Sequence, residues 1–393
     1  MLQVKSYIMM FHKAKGIYQG MRLLFTGNLI SLFVLSVSLF HSTTMLAARQ
    51  VQGLDSAFHS WTMVREFRQK SFPHTVPSGN YSGITHLHDD IYAVVSDKSD
   101  SALFFNFRMQ INPSTGDLEK VENLGYDVYV DGSRKLLGAK HEVGERGFDH
   151  EAIAKVSDST LVVSSEGKYR LKEYLMKGEL SFSDRTFGGD SLWEWKVSPS
   201  DYYPNYVYES LAFDSIHNRL WTISESTLRK DGRSATPQKG LANKLRLIGF
   251  EWMPESRLHP VKSELLYQMD KPSTDKVAQT YVMGVSELCV LPDGQLVVLE
   301  REAFIPKVKV GAFCRCKLYV VNPYENISGI LPKKLLTEWK TTLTIFGRSF
   351  ANYEGMCLGP RLEDGSQVII LLSDSQDQYA GVLKDWFKAI VVK

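Results

Sequence analysis

The chain has 393 residues, 44% hydrophobic and 11% aromatic, and its charges nearly cancel at a formal net +2. That is a globular composition, and the charge balance gives no reason to expect nucleic acid or an anionic membrane surface as partner. No low-complexity tract or long charge run marks a linker.

The first segment differs in kind from the rest. Lys13, Lys15 and Arg22 precede an apolar run over 23–40, and small residues follow at Ala47 and Ala48. A basic flank, an apolar stretch and a small-residue exit read as an export signal, with Met21 an alternative start. At 18 residues the run is also just long enough for an uncleaved anchor. Residues 1–48 are assigned to this signal or anchor, and 49–393 to one exported domain in a periplasmic, extracellular or envelope location.

From residue 82 onward a single pattern recurs five times. A small or acidic residue opens an apolar strand, a turn follows, and a second apolar strand ends in an acid. The openings are Ser82-Gly83-Ile84, Glu151-Ala152-Ile153, Glu209-Ser210-Leu211, Ser286-Glu287-Leu288 and Glu354-Gly355-Met356. The endings are Ser96-Asp97, Ser165-Glu166, Ser224-Glu225, Leu299-Glu300 and Ser373-Asp374. The copies start at 82, 151, 209, 286 and 354, a mean step of 68 residues, which indicates a repeat architecture. Further strand-like runs follow at 103–111 and 126–130, 245–252 and 263–269, 317–322 and 334–339, with turns such as Pro292-Asp293-Gly294 between runs. Four antiparallel strands per copy describe an all-β propeller of four-stranded blades. The last copy has one further run, 386–392, so residues 61–67 are expected to supply its fourth strand and lock the ring. Five blades result; the 77-residue step from 209 to 286 leaves room for a sixth.

Blade geometry predicts where the acids go. The first strand lines the channel and the second runs antiparallel beside it, so strand-one starts and strand-two ends share one mouth. Glu151, Glu209 and Glu354 sit at such starts; Asp97, Glu166, Glu225, Glu300 and Asp374 sit at such ends. Glu287 is displaced by one residue, which turns it to the other face unless a bulge intervenes. Crowded carboxylates repel and are tolerated when cations share the site. Lys98, Arg301 and His150, each beside an acid, offset part of the charge, and oxygen-only ligands favour Ca²⁺ or Mg²⁺. Against this, an acid after a strand often just caps a turn, which is the commoner role for any one strand-two acid taken alone.

Four cysteines, at 289, 314, 316 and 357, suit buried free thiols at 289 and 357; one residue between Cys314 and Cys316 strains a bridge there. No paired Cys-x-x-Cys site, no His-Glu-x-x-His and no Gly-x-Ser-x-Gly elbow occurs.

Asp149-His150-Glu151-Ala152-Ile153-Ala154, Val163-Ser164-Ser165-Glu166-Gly167, Tyr208-Glu209-Ser210-Leu211-Ala212, Val298-Leu299-Glu300-Arg301, Asn352-Tyr353-Glu354-Gly355-Met356 and Leu372-Ser373-Asp374 resemble the phytase-like family with esterase-like activity of phytase. The likeness runs from about residue 80 to 380; Ala152 and Ser210 stand where that family usually has glycine. The resemblance implies a β-propeller and hydrolysis of phosphoesters or other small esters.

The expected roles follow. Glu151, Glu209 and Glu354 are the catalytic carboxylates, one acting as general base. Asp97, Glu166, Glu225, Glu300, Asp374 and Glu287 hold a divalent cation, Ca²⁺ by preference. Arg301, Lys98 and His150 meet a small phosphorylated or ester substrate. The partners expected are that substrate alone, with no nucleic acid, no membrane beyond an N-terminal anchor, and a monomeric state. The rival from another class is a non-catalytic propeller with structural ions whose mouth binds a glycan, peptide or envelope partner.

Overall fold

Short apolar runs punctuated by Asn, Asp, Gly and Pro turns cannot sustain helices. In the computed structural model they pair into five four-stranded antiparallel sheets. The structure describes residues 60–99, 102–129, 148–176, 193–203, 206–252, 262–325, 329–376 and 383–393. The signal or anchor expected over 1–48 lies outside these residues, and no helix among them is long and apolar enough to cross a membrane.

Blade one comprises β2 (Tyr81–His88), β3 (Ile91–Ser96), β4 (Leu103–Ile111) and β5 (Leu118–Val128). Blade two follows as β6 (His150–Lys155), β7 (Thr160–Ser165), β8 (Arg170–Leu175) and β9 (Glu194–Lys196). Blade three holds β10 (Ala212–Asp214), β11 (Arg219–Ile223), β12 (Lys244–Glu251) and β13 (Lys262–Gln268). Blade four is built of longer strands, β14 (Thr280–Val290), β15 (Leu296–Ile305), β16 (Ala312–Val321) and β17 (Lys334–Leu343). Blade five has β18 (Asn352–Arg361), β19 (Gln367–Asp374) and β20 (Phe387–Val392), and its outer strand is β1 (Met63–Glu66) from the other end of the domain. The inner strands touch in cyclic order, β2, β6, β10, β14, β18 and back to β2. The ring is a five-bladed propeller, and residues 61–67 close it as expected.

β1 pairs with β20 through Met63↔Val392 and Glu66↔Ile390. Trp61 Nε1 donates to Asp293 Oδ2 at 2.8 Å, tying this strand's approach to the Pro292-Asp293-Gly294 turn of blade four. The apolar core is divided into five, one cluster between each pair of neighbouring blades. Each sheet is therefore sandwiched, which is why β7 and β19 are buried at every position and read as unbroken apolar runs. Outer strands face water. β5 begins at Leu118, earlier than the expected 126–130 run; its first half sets buried Leu118 and Val121 among polar residues, so it shows no continuous apolar run. In blade four the strands run about five residues past the expected 296–300, since Arg301 and Glu302 continue β15 instead of ending it.

A one-residue bulge recurs at the same height in every blade. Register steps by one between Tyr81↔Ser96 and Ile84↔Val94, between His150↔Ser165 and Ile153↔Val163, and between Val285↔Glu300 and Glu287↔Leu299. The same step separates Tyr353↔Ser373 from Gly355↔Leu372, and Tyr208↔Ser224 from Ala212↔Trp221. Inner strands crowd one another here. A Cβ on Gly83 would lie 2.7 Å from Ala152 Cα and from the Glu151 carbonyl oxygen.

All four cysteines are free and buried, and Cys314 and Cys316 project to one side of β16 with their sulfurs 3.8 Å apart.

Candidate active site

The bulges define the site. Residues paired just above them are Tyr81, His150, Tyr208, Val285 and Tyr353 on the inner strands, opposite Ser96, Ser165, Ser224, Glu300 and Ser373. The next residue on each inner strand is Ser82, Glu151, Glu209, Ser286 or Glu354. The next on each second strand is Asp97, Glu166, Glu225, Arg301 or Asp374. Two concentric rings of five result, and four of the five outer positions are acidic. Backbone bonds extend the ladder to hold them there. The amides of Asp97, Glu166 and Glu225 donate to the carbonyls of Asn80 at 3.3 Å, Asp149 at 2.9 Å and Val207 at 2.9 Å.

The fourth outer position is Arg301, not Glu300. A side chain alternates face along a strand, so Glu300 turns away, into the interface of blades three and four. There it accepts from Tyr267 Oη at 2.6 Å, Lys333 Nζ at 2.6 Å and the Asp270 amide at 3.1 Å. The expectation that Glu300 lines the mouth is corrected. Arg301 takes its place and is 4% exposed. Its guanidinium donates to Glu225, Glu354 and Asn352 Oδ1, and lies 3.5 Å from Glu209. Being already engaged by three carboxylates, it serves first as their counter-charge.

His150 also points elsewhere. It occupies the slot of Tyr81, Tyr208 and Tyr353, fully buried against Phe148 and Tyr129. Burial, and secondarily the charge of Arg170, lower its pKa to about 3, so it is neutral. Contact with substrate does not fit that position.

Glu287 is one residue below the acid slot, where Gly83, Ala152, Ser210 and Gly355 stand in the other blades. Its Oε1 accepts from the Leu211 amide at 3.0 Å and the Leu288 amide at 2.9 Å, bridging the inner strands of blades three and four. Burial holds this carboxyl well above its ordinary range. It is sealed below the mouth rather than gathered with the other acids. Lys98 lies at the rim, its Nζ 3.6 Å from Asp97 Oδ2.

The seven remaining acids divide into three that pair with Arg301 and four others. Around Arg301 stand Glu209, Glu225 and Glu354; burial raises all three, with Glu209 and Glu354 held well above their ordinary range, and Glu209 hydrogen-bonds to Glu225. Protons therefore persist among these three at a pH where a free glutamate has lost its own. The other four are Glu151, Glu166, Asp97 and Asp374, with Asp149 beside Glu151 and Glu166; Asp374 shares blade five with Glu354 and repels it. Burial raises Glu151 far above its usual value, followed by repulsion from Glu209, Asp149, Glu354 and Glu166. One oxygen from each of Asp149, Glu151 and Glu166 falls within 4.8 Å of the others, the size and chemistry of a divalent-cation site. Asp97 is pushed up to about 7, by burial first and then by Asp374.

Sequence reasoning passed over Asp149, Asn352 and Tyr206. Asp149 and Asn352 stand two residues before the inner-ring acids, and Asp149 adopts a left-handed φ of 50°, as does Asn80 (φ 47°) in the same slot of blade one. That Asx-aromatic-acid or Asx-aromatic-serine spacing was the available signal. Tyr206 reaches the site from the loop before β10; burial and the charges of Glu225, Glu209 and Glu166 raise it to about 12, with Arg301 acting oppositely.

The sequence model of the family described as phytase-like, with esterase-like activity of phytase, matches residues 76–376. No curated protein matches the chain. Among solved structures, virginiamycin B lyase from Staphylococcus aureus aligns at 9% identity over 85% of this chain and 99% of its own, with a TM-score of 0.30. An endo-arabinase from Bacteroides thetaiotaomicron aligns at 11% identity over 84% and 96%, with a TM-score of 0.39. Likeness at that level carries no argument about this chain.

Proposed function

We propose that this chain, which belongs to the phytase-like family, is an exported hydrolase of phosphoesters or other small esters that uses a divalent cation, Ca²⁺ by preference. The observation that carries the reading is the Asp149, Glu151 and Glu166 cluster, set in a ring in which Arg301 is paired with Glu225 and Glu354. Those three side chains would hold the ion, and an all-oxygen set selects a hard cation over zinc. A bound ion supplies Lewis-acid polarisation of an ester or phosphoryl oxygen.

The other residues have separable tasks. Asp97, with a pKa of about 7, is half protonated near neutrality, the condition for taking a proton from water and returning one to a leaving oxygen. Glu209, which burial and the Glu225 charge hold well above its ordinary range, keeps its proton more tightly than a free glutamate and is the less suited to act as a base. Lys98 at the rim supplies positive charge toward an incoming anion. Export rests on the basic, apolar and small-residue succession of residues 1–48.

Release of phosphate from phytate and phosphomonoesters, and of nitrophenol from nitrophenyl esters, with calcium and with chelator, tests the reading. Glu151→Gln is expected to lower turnover on the order of a hundredfold and to weaken calcium binding in calorimetry. Full activity in chelator, together with unchanged activity of Glu151→Gln, would remove the metal-assisted reading. Calcium binding without turnover on any of these substrates would favour the non-catalytic propeller.

A further inference from the structure

The extended strands of blade four carry three loops past the rest of the ring at the mouth end, and these loops have a distinctive surface. They are 269–279 before β14, 306–311 between β15 and β16, and 344–348 after β17. Adjacent rungs hold them together. Thr280 pairs with Ile305, Phe304 with Phe313, and Ala312 with Leu343. The four most exposed large apolar side chains among the described residues are all here: Phe346 at 100%, Val277 at 80%, Val308 at 78% and Ile345 at 76%. The same loops contain Lys271, Lys276, Lys307, Lys309 and Arg348 against two acids, Asp270 and Asp275, of which Asp270 is already bonded to Lys317 and Lys333. A groove of about 750 Å³ at their base is lined by Lys271, Lys276, Arg315 and Lys340, with Phe304 and Phe313 behind.

We infer that this tip is a docking surface for an anionic phospholipid bilayer. Exposed apolar side chains concentrated at one place mark an interaction site. They stand on three separate loops and none of the four lines the groove, so they present separate wedges rather than a cavity for a folded partner, and acyl chains accept isolated wedges without shape complementarity. Lysines alternating with valines in Lys307-Val308-Lys309-Val310 put charge at headgroup depth beside side chains that enter the layer below. The near-neutral charge of the whole chain concealed this, because the fold gathers the excess of cations into one small region. The inference stands independently of the proposed hydrolase, although a bilayer held there would lie on the mouth side of the propeller.

An environment-sensitive dye tests it. The native cysteines are buried, so a dye can be placed selectively on Phe346→Cys or, as a control at the opposite end of the propeller, on Ile216→Cys. The full chain is titrated with vesicles of phosphatidylcholine and phosphatidylglycerol at about three to one, at low and high salt. A blue shift is expected at position 346 and not at 216, weakening as salt rises. Lys307→Gln with Lys309→Gln should raise the lipid needed on the order of tenfold. No shift at 346, or equal shifts at both positions (as an attached N-terminal segment alone would give), overturns the inference. A shift with polyglutamate and none with vesicles also overturns it, in favour of an acidic polypeptide. If the Phe346→Cys protein melts below the parent, a dye on Val308→Cys reports from the neighbouring loop and is read in the same way.

Discussion

Arg301 shows how one residue sets the character of the site. Three buried glutamates around one guanidinium are tolerable together, but removing the cation leaves uncompensated charge in a low-dielectric setting. Arg301→Ala should cost about 3–5 kcal/mol in urea unfolding near neutral pH. The loss should shrink on acidification, because Glu209, Glu225 and Glu354 all have raised values and protonate readily. An equal loss at both pH values would show that packing, not charge, is what Arg301 provides. The amino-acid string alone misplaces this residue. Read as letters, Glu300 completes a series of strand-ending acids; read by register, it is one position short. Strand period is two, so a one-residue error sends a side chain to the opposite face.

At the scale of the strand, the recurring bulge is the device that aims the acids. A regular strand could not present Glu151, Glu209 and Glu354 at the mouth while keeping the residues below them in apolar alternation. Ser82, Ser210 and Ser286 bond to backbone carbonyls at this level, with Ser82 reaching His150 O at 2.6 Å and Ser286 reaching Tyr353 O at 3.1 Å across the blade boundary. Closure depends on β1. Deleting residues 1–67 would remove its pairing with β20, leave β20 as an open edge and expose the flank of the core between blades four and five. The truncated protein is expected to melt lower and to self-associate in size-exclusion chromatography; a monomer with unchanged melting would show that the ring closes without this strand. Inner and second strands were legible in sequence because both faces are buried and their apolar runs are continuous. The outer strands β5 and β9 were not, since β5 is polar over much of its length and Glu194 and Lys196 in β9 are exposed.

At the scale of the molecule, the ring concentrates carboxylates at one mouth, and stability should follow their protonation. Asp97 rises from 3.8 in its ordinary state to about 7 when folded. A folded value above the unfolded one means that the folded state binds the proton more tightly, so this contribution is complete below the unfolded value and is lost as pH rises toward 7. Glu151, Glu354 and Asp374 share that sign. In chelator, the melting temperature should therefore fall between about pH 4 and pH 7, and calcium should restore more of it at the higher pH. A calcium effect equal at both would argue against an ion among these carboxylates. Sequence by itself determined the repeat, the closing strand and the end of the propeller at which the acids collect, because those features follow from periodicities along one chain; it favoured five blades, and the five sheets of the structure leave no sixth among the described residues. Tertiary structure alone decided that Arg301 enters the ring and Glu300 leaves it, that His150 is core, that Asp149 joins Glu151 and Glu166, and that lysines and exposed apolar side chains share one tip. Those outcomes depend on bulge register and on contacts between blades, and of them only the place of Asp149 had a signal at fixed spacing within a single copy.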